Sequence, residues 1–383
     1  MRILNPTETR LSPHFMLSDF MGCHSVYSKG YRNEFESGDA LVDVRLENAK
    51  ALCEFALEPV LGTAGPISIS YGYISLELSE RIVRYQDPRK PSHHMWNLGA
   101  AADICVHEWV QTLAPGAQDR TGAPLEFALL HMADLPLSRL ITYSESPFFC
   151  VAVSQQEVLS GLPRKMWYEN EYGGVPGAKP HFRKLASDPA RELRLHDITQ
   201  DGFEHGWQGA GFPTYHGGGK RQYQHFRVSA YTMLSDWLFD ELFVRVGISN
   251  EPQMGNPLTR EAFYLAGYAY DLLIKVLGVP RLSIVSAYTN PRSSNKWIEG
   301  RDWAGSSIVF ELVPPEYLSP EDAQASCLQH PSISEIMNIE VDEDRLIVIV
   351  ERENAKNSKG FKASTSAVLA HARASSGQRI RRS

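Results

Sequence analysis

The chain contains no Cys-x-x-Cys pair, no apolar run near the length of a membrane span, and no apolar segment behind its first residues. Each absence removes a class of protein. The five cysteines, Cys23, Cys53, Cys105, Cys150 and Cys327, are odd in number and widely spaced, which suits reduced thiols better than a disulfide framework. Met1 to Phe20 carries charges and prolines and reads as no secretory signal, so the expected product is soluble and made in the cytoplasm. A Gly-x-Ser-x-Gly elbow is also missing, and His107-Glu108 lacks the second histidine of a His-Glu-x-x-His helix. Lys220 and Arg221 follow Gly217-Gly218-Gly219, a loop that can approach a phosphate, but without Walker spacing.

What is present is globular. At 383 residues, with 43% hydrophobic and 22% charged residues, the chain has room for two domains with cores of their own. The net charge of -7 is unevenly spread. From Asn354 onward there are seven basic residues, Arg379, Arg381 and Arg382 among them, and no acid, so the tail is +7 and the remainder -14. Such a Ser- and Ala-rich basic arm is expected to be flexible and to meet nucleic acid or an acidic protein surface.

One sequence of patterns occurs twice. Phe15-Met16-Leu17-Ser18-Asp19-Phe20 recurs as Tyr231-Thr232-Met233-Leu234-Ser235-Asp236-Trp237, each ahead of a helical stretch ending in Val-Leu-Gly, at Val60-Leu61-Gly62 and Val276-Leu277-Gly278. Both copies then alternate as strands, Ile67 to Tyr73 and Leu282 to Tyr288, and both close on a helix and a strand. In this register Asp103 faces Val309 of the second copy. Residues 160–225 between them are rich in Gly, His and aromatics, including Trp167, Tyr168, Tyr172, Trp207 and Tyr215, and are expected to form an ordered irregular connector. The expected division is 1–159, 160–225, 226–353 and a tail at 354–383.

The chemistry is concentrated in Ser92-His93-His94-Met95-Trp96-Asn97-Leu98-Gly99-Ala100-Ala101-Ala102-Asp103. This run resembles the Ser-x-His-x-x-Gly-x-Ala-x-Asp signature of the M15 zinc D-Ala-D-Ala peptidases, with two extra residues before the glycine. Leu11 to Phe20 and Gly65 to Ser75 are similar to the opening and to the Ser-Gly-Tyr-Arg-Ser strand of that family, so the resemblance covers most of 11–154. It implies an α+β fold of the hedgehog and D,D-peptidase type, twice in tandem, with an antiparallel sheet carrying the ligands and helices on one face. It further implies metal ligands at His94 and Asp103, and a general base at Glu145.

The family pattern then breaks. A catalytic zinc needs three protein ligands and an open position, yet the third histidine falls on Ala152. Cys150, two residues earlier and on the same side of a strand, offers a thiolate in its place. The arginine suited to a substrate carboxylate is replaced by Ile74, and the second copy keeps none of the ligands. These departures point first to a virion structural protein of a tailed phage, made in the host cytoplasm, without cofactor or catalysis. Such a protein would assemble in multiple copies or with other virion proteins, through the connector (Lys220, Arg221) and the tail (Arg379, Arg381, Arg382). The alternatives are a zinc D,D- or L,D-peptidase of peptidoglycan peptides and a peptidoglycan-binding protein that does not cleave.

Overall fold

The computed structural model describes residues 4–35, 40–82, 93–106, 132, 135–143, 148–154, 166–171, 181–184, 215–216, 220–221, 228–252, 256–291, 303, 305–358 and 360–361. In chain order the first elements are β1 (Arg10–Ser12), β2 (Phe15–Met16), α1 (His24–Lys29), α2 (Val42–Leu52), α3 (Glu58–Ala64), β3 (Ile67–Tyr71) and α4 (Leu76–Ile82). Next come β4 (Ala100–Val106), β5 (Arg139–Tyr143), β6 (Phe148–Val153), β7 (Met166–Glu171), β8 (His181–Lys184), β9 (Tyr215–His216) and β10 (Lys220–Arg221). The remainder holds α5 (Glu241–Val246), α6 (Pro257–Leu277), β11 (Ser283–Ser286), β12 (Ser307–Val313) and α7 (Pro320–Leu328). It closes with α8 (Pro331–Ser334), β13 (Met337–Asp342), β14 (Arg345–Glu351) and α9 (Arg352–Asn357). The class is α+β, with sheets that are antiparallel apart from the parallel β5–β7 pair.

The chain folds as two compact units. One comprises 1–38, 74–84 and 226–383; the other comprises 39–73 and 85–225. The second of these carries a six-stranded sheet in the order β3-β4-β6-β5-β7-β8. Strands β7 and β8 come from the stretch expected to be an irregular connector, and they extend this sheet. Strand β4 runs almost without polar interruption, Ala100-Ala101-Ala102-Asp103-Ile104-Cys105-Val106, as suits a strand covered on both faces. Against it lies the long helical stretch α2 to α3, which continues through a wider π-type turn at Cys53–Leu57.

The other unit is built on a four-stranded sheet, β11-β12-β14-β13, with aromatic packing at its centre. Trp237 meets Phe310 at 5.1 Å between ring centroids and Trp303 at 5.9 Å, while Phe263 meets Tyr288 at 5.0 Å. Local signals fix the helices. Asn256 caps α6 by accepting from the Leu258 amide, Pro257 opens it, and Gly278 ends it at φ 65°. Asp240 caps α5 through the Phe243 amide, at 3.0 Å.

The two copies read from the sequence have matching geometry in detail. The Met16 amide donates to Asp19 at 2.8 Å, and the Met233 amide to Asp236 at 2.7 Å. Asn33 donates to the Met21 carbonyl and accepts from the Ser75 amide; Asn250 does the same with Leu238 and Asn290. Sheet order agrees as well, β3-β4-β6-β5 against β11-β12-β14-β13. A register shift falls between Ile69 and Tyr71 in one sheet and between Ile284 and Ser286 in the other.

That shared register corrects one alignment. Tyr71 stands opposite Asp103 and Ser286 opposite Glu311, so the counterpart of Asp103 is Glu311, two residues beyond Val309. The tryptophan ring bonds agree with it, since Trp96 Nε1 donates to the Ala101 carbonyl and Trp303 Nε1 to the Val309 carbonyl. Sequence comparison matched Gly99 to Gly305, whereas the fold matches the buried tryptophans and absorbs one additional residue in the turn.

Candidate metal centre

Three donors converge at the junction of β4, β6 and the turn before β4. The ligand atoms of His94, Asp103 and Cys150 all lie within 4.8 Å of one another. His94 Nε2 is 3.7 Å from Asp103 Oδ1 and 3.8 Å from Cys150 Sγ. Four-coordinate zinc with bonds of about 2.0–2.3 Å places its ligand atoms roughly 3.3–3.8 Å apart. Two of the separations therefore already suit one shared ion.

Strand register produces half of the arrangement. Asp103 and Cys150 are direct partners across β4 and β6, so their side chains leave the sheet on the same face. Ala101 and Ala152, one pair along, form a small apolar cluster with Cys150 and Ile141. Ala152 is fully buried, and with no donor atom it contributes only packing.

Helix α2 and the turn supply the other half. Arg45 Nε donates to Asn97 Oδ1 at 2.7 Å and Asn48 Nδ2 to the Trp96 carbonyl at 2.9 Å, so one helix face grips the turn that carries His94. Trp96 itself sits at φ 60°, an uncommon conformation for a bulky residue. Gly99 has φ 147°, and a Cβ there would come within 2.7 Å of the Val153 carbonyl oxygen. The stretch from His94 to Gly99 thus forms a tight, backbone-limited turn.

The histidine tautomer follows from one hydrogen bond. His94 Nδ1 lies 2.9 Å from the Gly72 carbonyl, which can only accept, so Nδ1 carries the proton and Nε2 keeps its lone pair. This is the usual orientation of a metal-binding imidazole. Asp103 approaches the same nitrogen, Nε2, as Cys150 does, so both face one lone pair. The edge-on ring of Tyr71, 4.9 Å between centroids, holds the imidazole plane.

Electrostatics agree with a site short of positive charge. Burial pushes the Asp103 carboxyl up to about 7, against the opposing hydrogen bond from Cys150. Burial also lowers His94 to about 4, where its bond to Gly72 works against the shift and the charges of His93 and Arg139 add to it. His94 and Asp103 are therefore no salt bridge near neutral pH, although both side chains are largely buried, 14% and 13% exposed. Asp103 Oδ1 has no hydrogen-bond partner among the described residues, which leaves a buried oxygen in need of a proton or a cation.

Other residues singled out from the sequence fare differently. Ile74, which the resemblance sets at the place of an arginine, is 2% exposed and offers no charge. Lys220 and Arg221 form the short strand β10 paired with β9. Glu145, His107, Arg379, Arg381 and Arg382 lie outside the described residues. In the other sheet Glu311 and Ile347 stand where Asp103 and Cys150 stand here, and Glu311 pairs with Arg345 at 3.0 Å. Arg139, near enough to act electrostatically on both His93 and His94, was not apparent from the sequence. Only the pairing of β5 with β6 brings it to this face. Comparison of the chain with protein-family models, curated proteins and solved structures returned no match.

Proposed function

We propose that His94, Asp103 and Cys150 hold one divalent metal, zinc by the softness of the donor set, in an M15-like unit whose chemistry is hydrolysis of peptidoglycan peptides. The observation that carries this reading is the pairing of Asp103 and Cys150 across β4 and β6 with His94 Nε2 turned to both. Asp103 and Cys150, once ionised, match the charge of a divalent ion, and Asp103 Oδ1, which has no hydrogen-bond partner among the described residues, gains one. A bound zinc would supply Lewis acidity and a lowered pKa for water. The chain's own part is to hold the imidazole tautomer through Gly72, to fix the turn through Arg45 and Asn48, and to bury the donors. Glu145 is the proposed proton acceptor, by resemblance alone.

The other unit supports a second reading, a structural role in a phage particle. It repeats the strand order and the bulge but has Ile347 in place of the thiol, which fits a duplicated fold in which one copy serves assembly. Metal analysis of the purified chain decides between them. One zinc per chain, lost in His94→Ala and Cys150→Ala, supports the metal reading; metal-free protein, with no uptake on addition of zinc, removes it in favour of the structural one.

A further inference from the structure

We propose that the outer edge of β13 is a docking site for the basic C-terminal segment 362–383 of the same chain, which adds to the four-stranded sheet as one more strand. The inference is independent of the metal reading.

The two sheets differ at this edge. Strands β5 and β13 hold the same place in the orders β3-β4-β6-β5-β7-β8 and β11-β12-β14-β13. The outer side of β5 pairs in parallel with β7, whereas β13 has no strand on that side among the described residues. An open edge of this kind is a template for another strand. Register shows which groups it offers. The Glu351 amide donates to the Ile336 carbonyl at 2.9 Å, in the register that the ladder keeps from Met337 opposite Val350 to Asp342 opposite Arg345. Hydrogen-bonded pairs alternate along an antiparallel ladder, so Asn338, Glu340 and Asp342 bond to β14. Met337, Ile339 and Val341 therefore turn their amides and carbonyls outward. Gln324 Nε2 of α7 donates to the Ile339 carbonyl at 2.7 Å, as that direction requires, and a carbonyl has a second lone pair for a docked strand. The three outward amides have no acceptor among the described residues.

Charge selects the occupant. The charged side chains of 335–344 are all acids, Glu335, Glu340, Asp342, Glu343 and Asp344, and all are exposed. Among the described residues only Asp344 has an ion-pair partner, Arg345 at 3.5 Å. Edge-to-edge pairing of two copies would set these acids against each other, so the fitting strand is cationic. Segment 362–383 supplies one, with Lys362, Arg373, Arg379, Arg381 and Arg382, no acid, and no proline to remove an amide donor. The described chain leads into it at Phe361, whose ring packs on Tyr268 of α6 at 5.7 Å between centroids. Extended, the segment reaches up to about 70 Å, against a radius of gyration of about 17 Å for a globular unit of this size. Tethering raises its local concentration to about millimolar, so at about micromolar protein the chain's own segment outcompetes a neighbour's.

Residue-resolved amide hydrogen exchange of the full-length chain tests this, because the outward and inward amides of one strand serve as probe and control. Two variants are compared with the wild type: one with Lys362, Arg373, Arg379, Arg381 and Arg382 all changed to Gln, the other with Glu340→Lys and Asp342→Lys. In both, the amides of Met337, Ile339 and Val341 should exchange faster by about 10-fold or more, as for loss of one hydrogen bond each. The amides of Asn338, Glu340 and Asp342 should stay slow in the tail variant, which alters no residue of the sheet. Outward amides that exchange at the wild-type rate in that variant overturn the proposal, whatever the edge variant does to folding. Wild-type protection that grows with protein concentration places a neighbouring copy's segment at the edge and overturns the assignment to the same chain.

Discussion

His94 gives its Nδ1 proton to the carbonyl of Gly72 across 2.9 Å, and this single bond decides what the imidazole can do. With Nδ1 engaged, Nε2 faces Asp103 and Cys150 as a lone pair, the orientation that the proposed ligand set requires. Replacing any of the three donors should lower zinc affinity by more than 100-fold, whereas Ala152→Ser, which removes no donor, should leave the stoichiometry at one. Equilibrium dialysis against a chromophoric chelator measures both.

Metal-free protein should show a pH dependence set by Asp103. Its folded pKa is raised to about 7, so below the unfolded value both states hold the proton. As pH climbs toward 7 the unfolded chain releases that proton first and folding is disfavoured, by roughly 2–4 kcal/mol in total. His93 and His94, lowered to about 4, act in the opposite sense and remove stability as pH falls below about 6.5. Urea melts of chelator-treated Asp103→Asn between pH 4 and 8 should lose the decline toward neutrality and keep the acid-side one. An unchanged decline would place the titrating group elsewhere.

The same residue couples metal uptake to pH. Since Asp103 and Cys150 must ionise, zinc binding should release protons and tighten as pH rises from 6 to 8. Calorimetry in buffers of different ionisation enthalpy counts those protons, and a count of zero would contradict the assigned ligands.

Gly99→Ala should damage the site without touching a ligand. The new Cβ would sit 2.7 Å from the Val153 carbonyl oxygen at φ 147°, so the turn must shift or strain by about 1–3 kcal/mol. Arg45→Ala frees Asn97 on the other side of that turn, and loss of such outer support weakens metal binding by about 10–100-fold. Zinc affinity measured on the folded fraction of each variant checks both effects against simple unfolding.

Asn33 and Asn250 should prove equally intolerant. Each is buried and ties the carbonyl after a Leu-Ser-Asp turn to an amide about 40 residues on, so alanine leaves backbone groups unpaired at about 1–3 kcal/mol each. Matched losses of stability in Asn33→Ala and Asn250→Ala would bear on the repeat itself, and a neutral result at either position would count against their equivalence.

Much of this was legible in the residues. The Val-Leu-Gly ending is a local signal, and α6 stops at Gly278 as read, while its start at Asn256-Pro257 was seen only in the structure. The helical stretch leading to Gly62 and the strand from Ile67 were also read from the residues, although the helix runs past Gly62 to Ala64. The recurrence of Leu-Ser-Asp was legible as a repeat, and the structure adds that both turns carry the same kind of hydrogen bond, Met16 to Asp19 and Met233 to Asp236. Strand β13 and the strands β7 and β8 were less visible, because their patterns are short and lie in stretches read as loop or connector.

Residue identity and near neighbours were enough to name the α+β class and, through the resemblance, His94, Asp103 and Cys150 as candidate ligands. Only the tertiary structure decided that Asp103 and Cys150 are strand partners, that His94 points Nε2 at both, that Glu311 rather than Val309 is the counterpart of Asp103, and that Arg139 shares the face. The physical reason is register: a bulge of one residue or the pairing of two distant strands moves a side chain by a whole row, and neither is written in local spacing.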